Sequence, residues 1–524
     1  MTENRPSVLY FYMIPRMSDV FFVAVLLYTA VFAGIRMLGD GDTGYHIRAG
    51  ELMIKSGSVL HADPFSFIRP QLHWTTHEWL SEILMALCYH VAGLPCVVLM
   101  YALVIAVTAR YLFSILVKRG QRLLASSFWV IVFLAAAKVH WLARPHIFSL
   151  LFLMFWFDVV ERYQSSEGGR LWFLPVSMIL WVNLHGGYIA GIFLLVIYLA
   201  GNLAYYVTDR AEWDSHGKVR AHMLAKIAGC SLIAALFNPV GYKIFLFPFQ
   251  LAMDTTLTNY VSEFFSPNFH EPLMLKYLLL GLVAILGYSR RRLQPAHMFV
   301  IIFFMNMSLF SARYGPLLAL VLIPILVTYM DFDLAGRFPG FERFLHNREI
   351  TVSSVDQLAR GIAWPVVTSL IVFFMMTDGR ISYGFDPKIK PIAALEFLKK
   401  EHIAGNVFNN DEFGDLMIYA LSDRYKVFID GRLDMYHSAG ILKQYFNVTS
   451  FEPGWNEILR KHGISWIFYD TKAQFTRFLL TQPEWVLIYS DKVASIFVKN
   501  IPEHRQLIAN HPRVTLAKTD DKNE

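Results

Sequence analysis

Residues 19–38, DVFFVAVLLYTAVFAGIRML, are long and apolar enough to cross a bilayer. The chain passes straight from them into Gly39-Asp40-Gly41-Asp42-Thr43-Gly44-Tyr45-His46. A helix needs about 20 consecutive apolar residues to span the hydrocarbon core, so this junction reads as a membrane helix that ends in an acidic, glycine-rich loop. Further apolar segments follow near 95–117, 123–142, 146–160, 171–186, 188–208, 222–238, 273–288, 296–310, 315–330 and 361–377. The pattern predicts a polytopic α-helical membrane protein with about eleven transmembrane helices. Composition agrees, with 55% of the 524 residues hydrophobic and 17% charged, against roughly a quarter charged in soluble domains.

The net charge of +6 does not point to nucleic acid, because the basic residues fall in short clusters between apolar segments. Lys118-Arg119-Gly120-Gln121-Arg122, Arg162 with Arg170, Arg210 with Lys218 and Arg220, Arg290-Arg291-Arg292, and Arg343 with Arg348 occupy alternate loops. Basic loops stay on the cytoplasmic side. The N-terminus is therefore expected in the cytoplasm of a bacterial inner membrane. Loop 39–94, loop 239–272 and everything after residue 377 are expected outside. No cleavable signal peptide is expected, and Cys88, Cys96 and Cys230 have neither metal-ligand nor disulfide spacing.

Three regions follow. Residues 1–377 are the transmembrane domain with its large first outer loop (39–94), 378–500 a small α/β extracytoplasmic domain, and 501–524 a polar, loosely ordered tail. Strands are expected at 405–409, 426–429, 464–469, 484–489 and 493–498, between helical stretches.

The unusual polar residues gather on the outer side: Asp40, Asp42, His46, His77, Glu78, Arg144, His146, Asn183, His185, Asn238 and Arg313. Polar groups at the ends of membrane helices are costly unless satisfied, and often mark a site. A carboxylate there could act as a general base toward an acceptor hydroxyl, or Asp40 and Asp42 could simply cap a helix. His46, His77 and Glu78 could orient the acid. Asp40, Asp42 and His46 could also hold a divalent cation, Mg or Mn, although no HExxH-like motif is present. Arg144 and Arg313 suit a phosphate through their planar forks, or snorkel at the interface. Gly186-Gly187, beside Asn183 and His185, reads first as packing glycines. Tyr260, Glu263 and His270 in loop 239–272 are candidates to cover a cavity. Asp430, Arg432 and Asp434, at the end of the apolar stretch 426–429, could bind acceptor or form a structural Asp–Arg turn.

The run Asp42-Thr43-Gly44-Tyr45-His46-Ile47-Arg48-Ala49-Gly50-Glu51, with Asp63-Pro64-Phe65-Ser66 and His77-Glu78-Trp79-Leu80, resembles the first outer loop of bacterial membrane proteins in the GT-C glycosyltransferase superfamily. Similar runs follow at Ala143-Arg144-Pro145-His146, Trp181-Val182-Asn183-Leu184-His185-Gly186-Gly187, Asn238-Pro239-Val240-Gly241, Arg313 and Val427–Tyr436. The resemblance implies a sugar carried on a polyprenyl phosphate and transferred with inversion to an extracytoplasmic acceptor (glycan, lipid or protein) by a hexosyl- or pentosyltransferase. It also implies that an acid of the first outer loop is central. Asp42 begins the motif and is the first choice, with Asp40 its rival. Arg144, Arg313, His46, His185 and Asn183 would hold the donor, and His77, Glu78 and His146 would complete the polar shell. The Asp-Gly-Asp spacing departs from the adjacent acidic pair of some relatives. A lipid-linked glycan transporter or flippase, and a non-catalytic assembly protein on the same scaffold, stay open. Polar groups crowded on one side argue against a transport path.

Overall fold

The computed structural model describes residues 12–165, 168–253, 264–331, 338–359, 363–512 and 514–518. Every one of the eleven apolar segments carries helix. Among the described residues, four helices are long and apolar enough to cross a membrane: Trp79–Lys118, Leu123–His140, Gly186–Thr208 and Ala312–Tyr329. Pro339–Leu358 and Ala363–Thr377 form a pair bent by 75°. Met17–Phe32, Phe173–Leu184, Met274–Tyr288 and Pro295–Phe310 are apolar but shorter. A count of about eleven spans therefore does not follow from helix length. Polar residues shorten the apolar stretches, with Asp158, Glu161 and Arg162 near the end of His146–Gln164, and Lys218 and Arg220 at the start of Lys218–Ala235.

The chain forms two compact units. The first is Met1–Gly34, Pro95–Trp141 and Pro145–Ser382; the second is Ile35–Leu94, Leu142–Arg144 and Tyr383–Glu524. The first outer loop, expected within the transmembrane domain, thus folds with the α/β domain.

In the first unit Trp156 and Trp181 are fully buried. Gly191 lets them approach, since a Cβ there would meet the two rings at 2.9 and 2.6 Å. A polar network crosses the same helices. Glu161 accepts hydrogen bonds from Tyr198 and from His297 Nε2 (2.9 Å) and pairs with Arg119 at 3.1 Å. His297 Nδ1 lies 2.8 Å from the Tyr329 hydroxyl. Such a buried acid is tolerable only with its partners in place. Pro339–Leu358 buries no residue, yet its acids, one every two turns, face the unit. Glu342 pairs with Arg122 at 2.6 Å. Glu349 accepts the N–H groups of Leu123 and Leu124 at 2.6 and 3.1 Å. Asp356 accepts that of Met17 at 2.6 Å. The acids thus satisfy the positive starts of two other helices.

The second unit carries a four-stranded sheet, β1 (Asn406–Asn409), β2 (Ile464–Asp470), β3 (Trp485–Ser490) and β4 (Ala494–Lys499), in the order β1-β2-β4-β3. β1 and β2 run parallel and the other pairs antiparallel. Phe408, Trp466, Ile467, Phe468, Ile496 and Phe497 fill its core. The stretch 426–429, expected as a strand, is not part of this sheet. Val427 forms a single parallel bridge with Ser66 of the outer loop. The Asn409 side chain takes the Phe428 N–H (2.9 Å) and donates to the Ile429 carbonyl (2.7 Å), satisfying the backbone that a neighbouring strand would otherwise pair. The start of the polar tail is also ordered. His504 is buried, its ring nitrogens 3.0 and 3.1 Å from the Lys499 and Ala404 carbonyls, and a short helix follows at Arg505–Asn510.

Two helices of this unit position the site. Helix α1 (Asp42–Ser56) packs on α2 (Asp411–Leu421). Gly44 makes that contact possible. A Cβ there would stand 2.8 Å from Tyr419 Cβ and 2.9 Å from the Asp415 carbonyl, inside the closest approach of real side chains.

Candidate active site

Asp40 precedes α1. Its Oδ1 accepts the Asp42 N–H at 3.0 Å, a local turn of the kind short acidic side chains favour. The N-cap of α1 is Gly41, which makes no side-chain cap bond, so Asp40 shapes the turn before the helix rather than capping it. Arg144 then joins the two acids, with Nη1 2.5 Å from Asp40 Oδ2 and Nη2 2.6 Å from Asp42 Oδ2. Its segment is held in place by Ala143, whose N–H donates to the Met37 carbonyl (2.7 Å) and whose carbonyl accepts from Thr43 (3.2 Å). The three side chains stay 12–20% exposed.

The α/β domain closes the other side of this group. A Cβ on Gly41 would lie 3.0 Å from the Glu412 carbonyl and 3.3 Å from Asp415 Cβ, so α2 runs hard against the Asp-Gly-Asp turn. Asp415 is buried and its Oδ1 accepts the Gly431 N–H at 2.9 Å. Burial, with Asp42 and Asp430 adding repulsion, pushes its carboxyl well above the usual range. Burial also lifts Asp411 to about 6, with Asp40 and Asp430 adding to it. Lys390, buried and ion-paired with Glu412, is pulled down by burial despite the acids around it.

His46 turns to a different group of acids. Its Nδ1 lies 3.1 Å from Glu82 Oε1 and its Nε2 3.7 Å from Glu78 Oε2. His77 Nε2 is 3.6 Å from the other Glu78 oxygen. Burial works against the His77 charge, but Glu78 outweighs it and raises the imidazole to about 9. Among the described residues no three or more His, Cys, Asp or Glu side chains form a group that could hold a metal ion. Asp40 and Asp42 share an arginine, while His46 engages glutamates.

Asp430 and Arg432, expected as acceptor ligands or as a structural turn, bond to each other in the interior. Asp430 is 0% and Arg432 2% exposed. Arg432 donates to Asp430 at 2.7 and 2.6 Å and to Asp63 at 2.7 Å, and its guanidinium lies 4.6 Å from the centre of the Trp74 ring. Tyr436 adds a hydrogen bond to Asp430 at 2.6 Å. This buried cluster ties Asp63 of the loop 39–94 to the α/β domain. Asp434 is partly exposed. Burial raises its carboxyl while the charge of His77 lowers it.

The remaining candidates lie in the first unit. His185 Nδ1 accepts the Gly187 N–H at 2.9 Å and so carries no proton. The Ser149 hydroxyl therefore donates to it at 2.7 Å, and itself accepts from Trp181 Nε1 at 2.8 Å. This chain leaves the imidazole proton on Nε2. His146 Nε2 faces the His140 carbonyl at 2.8 Å, and its ring lies 6.4 Å from that of His185. Asn183 donates both amide hydrogens, to the carbonyls of Ile179 (2.7 Å) and Phe237 (2.8 Å), which makes it a helix lock. A Cβ on Gly187 would meet His185 Nδ1 at 2.7 Å, in keeping with a packing glycine. The Arg313 guanidinium lies 4.9 Å from the Phe264 ring centre. Asn238 closes a turn by accepting the Val240 N–H at 2.8 Å. Tyr260 and Glu263 lie outside the described residues, and His270 is exposed.

Asp411, Asp415 and Lys390 are the residues that sequence reasoning missed. Asp415 had left a signal, because it falls in the run of mostly apolar residues from Phe413 to Ile418 that α2 buries. A charged residue in an apolar helical run is a departure from pattern that asks for a reason.

No protein-family model and no curated protein matches the chain. Solved structures do. The oligosaccharyltransferase of Archaeoglobus fulgidus in its apo form superposes with a TM-score of 0.55 at 14% identity, over 93% of this chain and 74% of that one. AglB from the same organism, in complex with an inhibitory peptide and a dolichol-phosphate, gives 0.52 at 12%, over 88% and 70%. ArnT from Cupriavidus metallidurans bound to undecaprenyl phosphate gives 0.49 at 14%, over 92% and 98%. The archaeal likeness establishes the architecture, and this chain has the GT-C fold, that of the membrane-bound glycosyltransferases its first outer loop resembles.

Proposed function

We propose that the chain is a glycosyltransferase of a bacterial inner membrane that moves a sugar from a polyprenyl-phosphate donor to a hydroxyl acceptor on the outer face, with inversion. The observation that carries this reading is the placement of Asp42. It stands at the first turn of a buried helix, joined to Asp40 through one arginine, in a partly open acidic group between the first outer loop and the α/β domain. The GT-C fold supports the same reading, as does the dolichol-phosphate in the complex of the similar archaeal protein.

In this proposal Asp42 accepts the acceptor proton. Asp40 and Arg144 fix its direction, because a fork bonded to both acids leaves their carboxylates few other orientations. Arg144 is thus a positioning residue rather than the phosphate holder expected from sequence. The test uses full-length protein in lipid nanodiscs with a panel of polyprenyl-phosphate sugars, products and released lipid being identified by mass spectrometry. Asp42→Asn should lower transfer roughly 100- to 10,000-fold while folding normally. Undiminished transfer by a folded Asp42→Asn protein overturns the assignment.

A further inference from the structure

Asp415 has no task in this scheme, and its position gives it one. The point that a Cβ on Gly431 would occupy lies 3.0 Å from Asp415 Oδ2 and 3.0 Å from Asp42 Cγ. Two carboxyl groups far apart in the sequence therefore both border Gly431. The only side chain that fits there is a hydrogen atom.

The charges around the pair come from every element packed on it. The turn before α1 supplies Asp40, and segment 142–144 supplies Arg144, which both Asp40 and Asp42 engage. Helix α2 contributes Asp411 and Glu412, and Lys390 pairs with Glu412. Asp430 approaches from beyond Gly431, but Arg432 holds it together with Asp63. Among the described residues no cation forms an ion pair with Asp415; Lys390 is near enough to feel its charge, and the Gly431 N–H donates to it. Asp415 is buried and feels the charge of Asp42, so ionising both is disfavoured, and sharing a proton would remove the repulsion.

We propose that Asp42 and Asp415 form a carboxyl pair holding one proton between them, so that the α/β domain supplies half of the acid–base group. The catalytic role rests on the transferase reading; the shared proton does not. In the transfer step the acceptor oxygen bonds to the anomeric carbon. The bond from that carbon to the phosphate oxygen breaks, and its electron pair leaves with the polyprenyl phosphate. The acceptor proton passes to the ionised member of the pair, which then returns it to water.

The experiment is isotope-edited infrared spectroscopy of the full-length protein in nanodiscs at about pH 8, where Asp411, raised only to about 6, is ionised. Wild type should show a protonated-carboxyl band that Asp415→Asn lacks. Gly431→Ala, which pushes a methyl group between the two acids, should shift that band while both acids remain. Absence of the band from wild type, or its persistence unchanged in Asp415→Asn, overturns the pair. In the transfer assay Asp415→Asn should lower the maximal rate at least about tenfold and move its pH profile, with the donor KM little changed. Wild-type transfer that survives intact in Asp415→Asn overturns the catalytic role. If the band behaves as expected but no donor is used, the pair stands and the transferase reading fails.

Discussion

The second unit contains one motif twice, an arginine that bridges two aspartates, and the copies differ in their surroundings. Arg432 joins Asp430 and Asp63 with all three side chains 0–2% exposed and aromatic rings packed against the guanidinium. Arg144 joins Asp40 and Asp42 with side chains 12–20% exposed and with Asp411 and Asp415 close by. Each holds two acids to one arginine, so the two do not differ in their own charge. The first is closed off from water among aromatic rings; the second has further acids close by and keeps an opening. Chemistry is favoured where excess acid stays within reach of solvent, and cohesion where an ion cluster is buried with its partners.

The most direct way to break this comparison is to remove each arginine. Arg432→Ala leaves two buried carboxylates without their cation and should cost about 3–5 kcal/mol, seen as a large loss of the unfolding midpoint in detergent. Arg144→Ala, whose acids can reach water, should cost about 1 kcal/mol or less while abolishing transfer. Equal stability losses would erase the distinction.

A smaller effect is expected at Gly44. Its replacement by Ala inserts a methyl group 2.8 Å from Tyr419 Cβ and should destabilise the unit by roughly 1–3 kcal/mol, because a backbone contact cannot relax as a side chain can. An unchanged midpoint in thermal unfolding would show that α1 and α2 are not so tightly apposed.

The excess of acid predicts the mildest effect, with a sign that depends on pH. Burial raises folded Asp411 from the ordinary 3.8 to about 6. The folded state then binds the proton more tightly than the unfolded chain does. Stability from this group is complete below about pH 4 and is lost as pH rises through about 6. Asp411→Asn should therefore stabilise the protein at pH 7 by on the order of 1–2 kcal/mol. The gain should fade as pH falls toward 4. A benefit independent of pH in denaturant titrations would contradict the charge argument.

The helices and their apolar faces were legible in the sequence, because lipid demands long apolar runs whatever they pack against. The loop 39–94 also stood out, since Asp40 and Asp42 interrupt such a pattern at the end of a helix. Its partners did not. Arg144 stands about a hundred residues away, and Asp415 nearly four hundred; nothing local announces a contact made across that separation. The glycines gave half the information. In the sequence Gly41 and Gly44 mark only a glycine-rich loop, whereas in the structure they clear room for α2. The Asp430–Arg432 pair shows the opposite limit. Its spacing allowed both a ligand site and a staple, and nothing in it announced that the pair is buried.

The helix Pro339–Leu358 acts as a gauge bar. Its carboxylates at 342, 349 and 356 grip Arg122 and the opening turns of two other helices, and they do so from one side only because their spacing nearly matches two helical turns. Each residue of an α-helix advances the side chain by roughly 100°. Deleting one residue between Glu349 and Asp356 would swing one grip away from its target while the other held. A single insertion or deletion in this surface rod would therefore disturb the spacing of helices deep within the unit, and a polar substitution of its exposed face would leave them where they are.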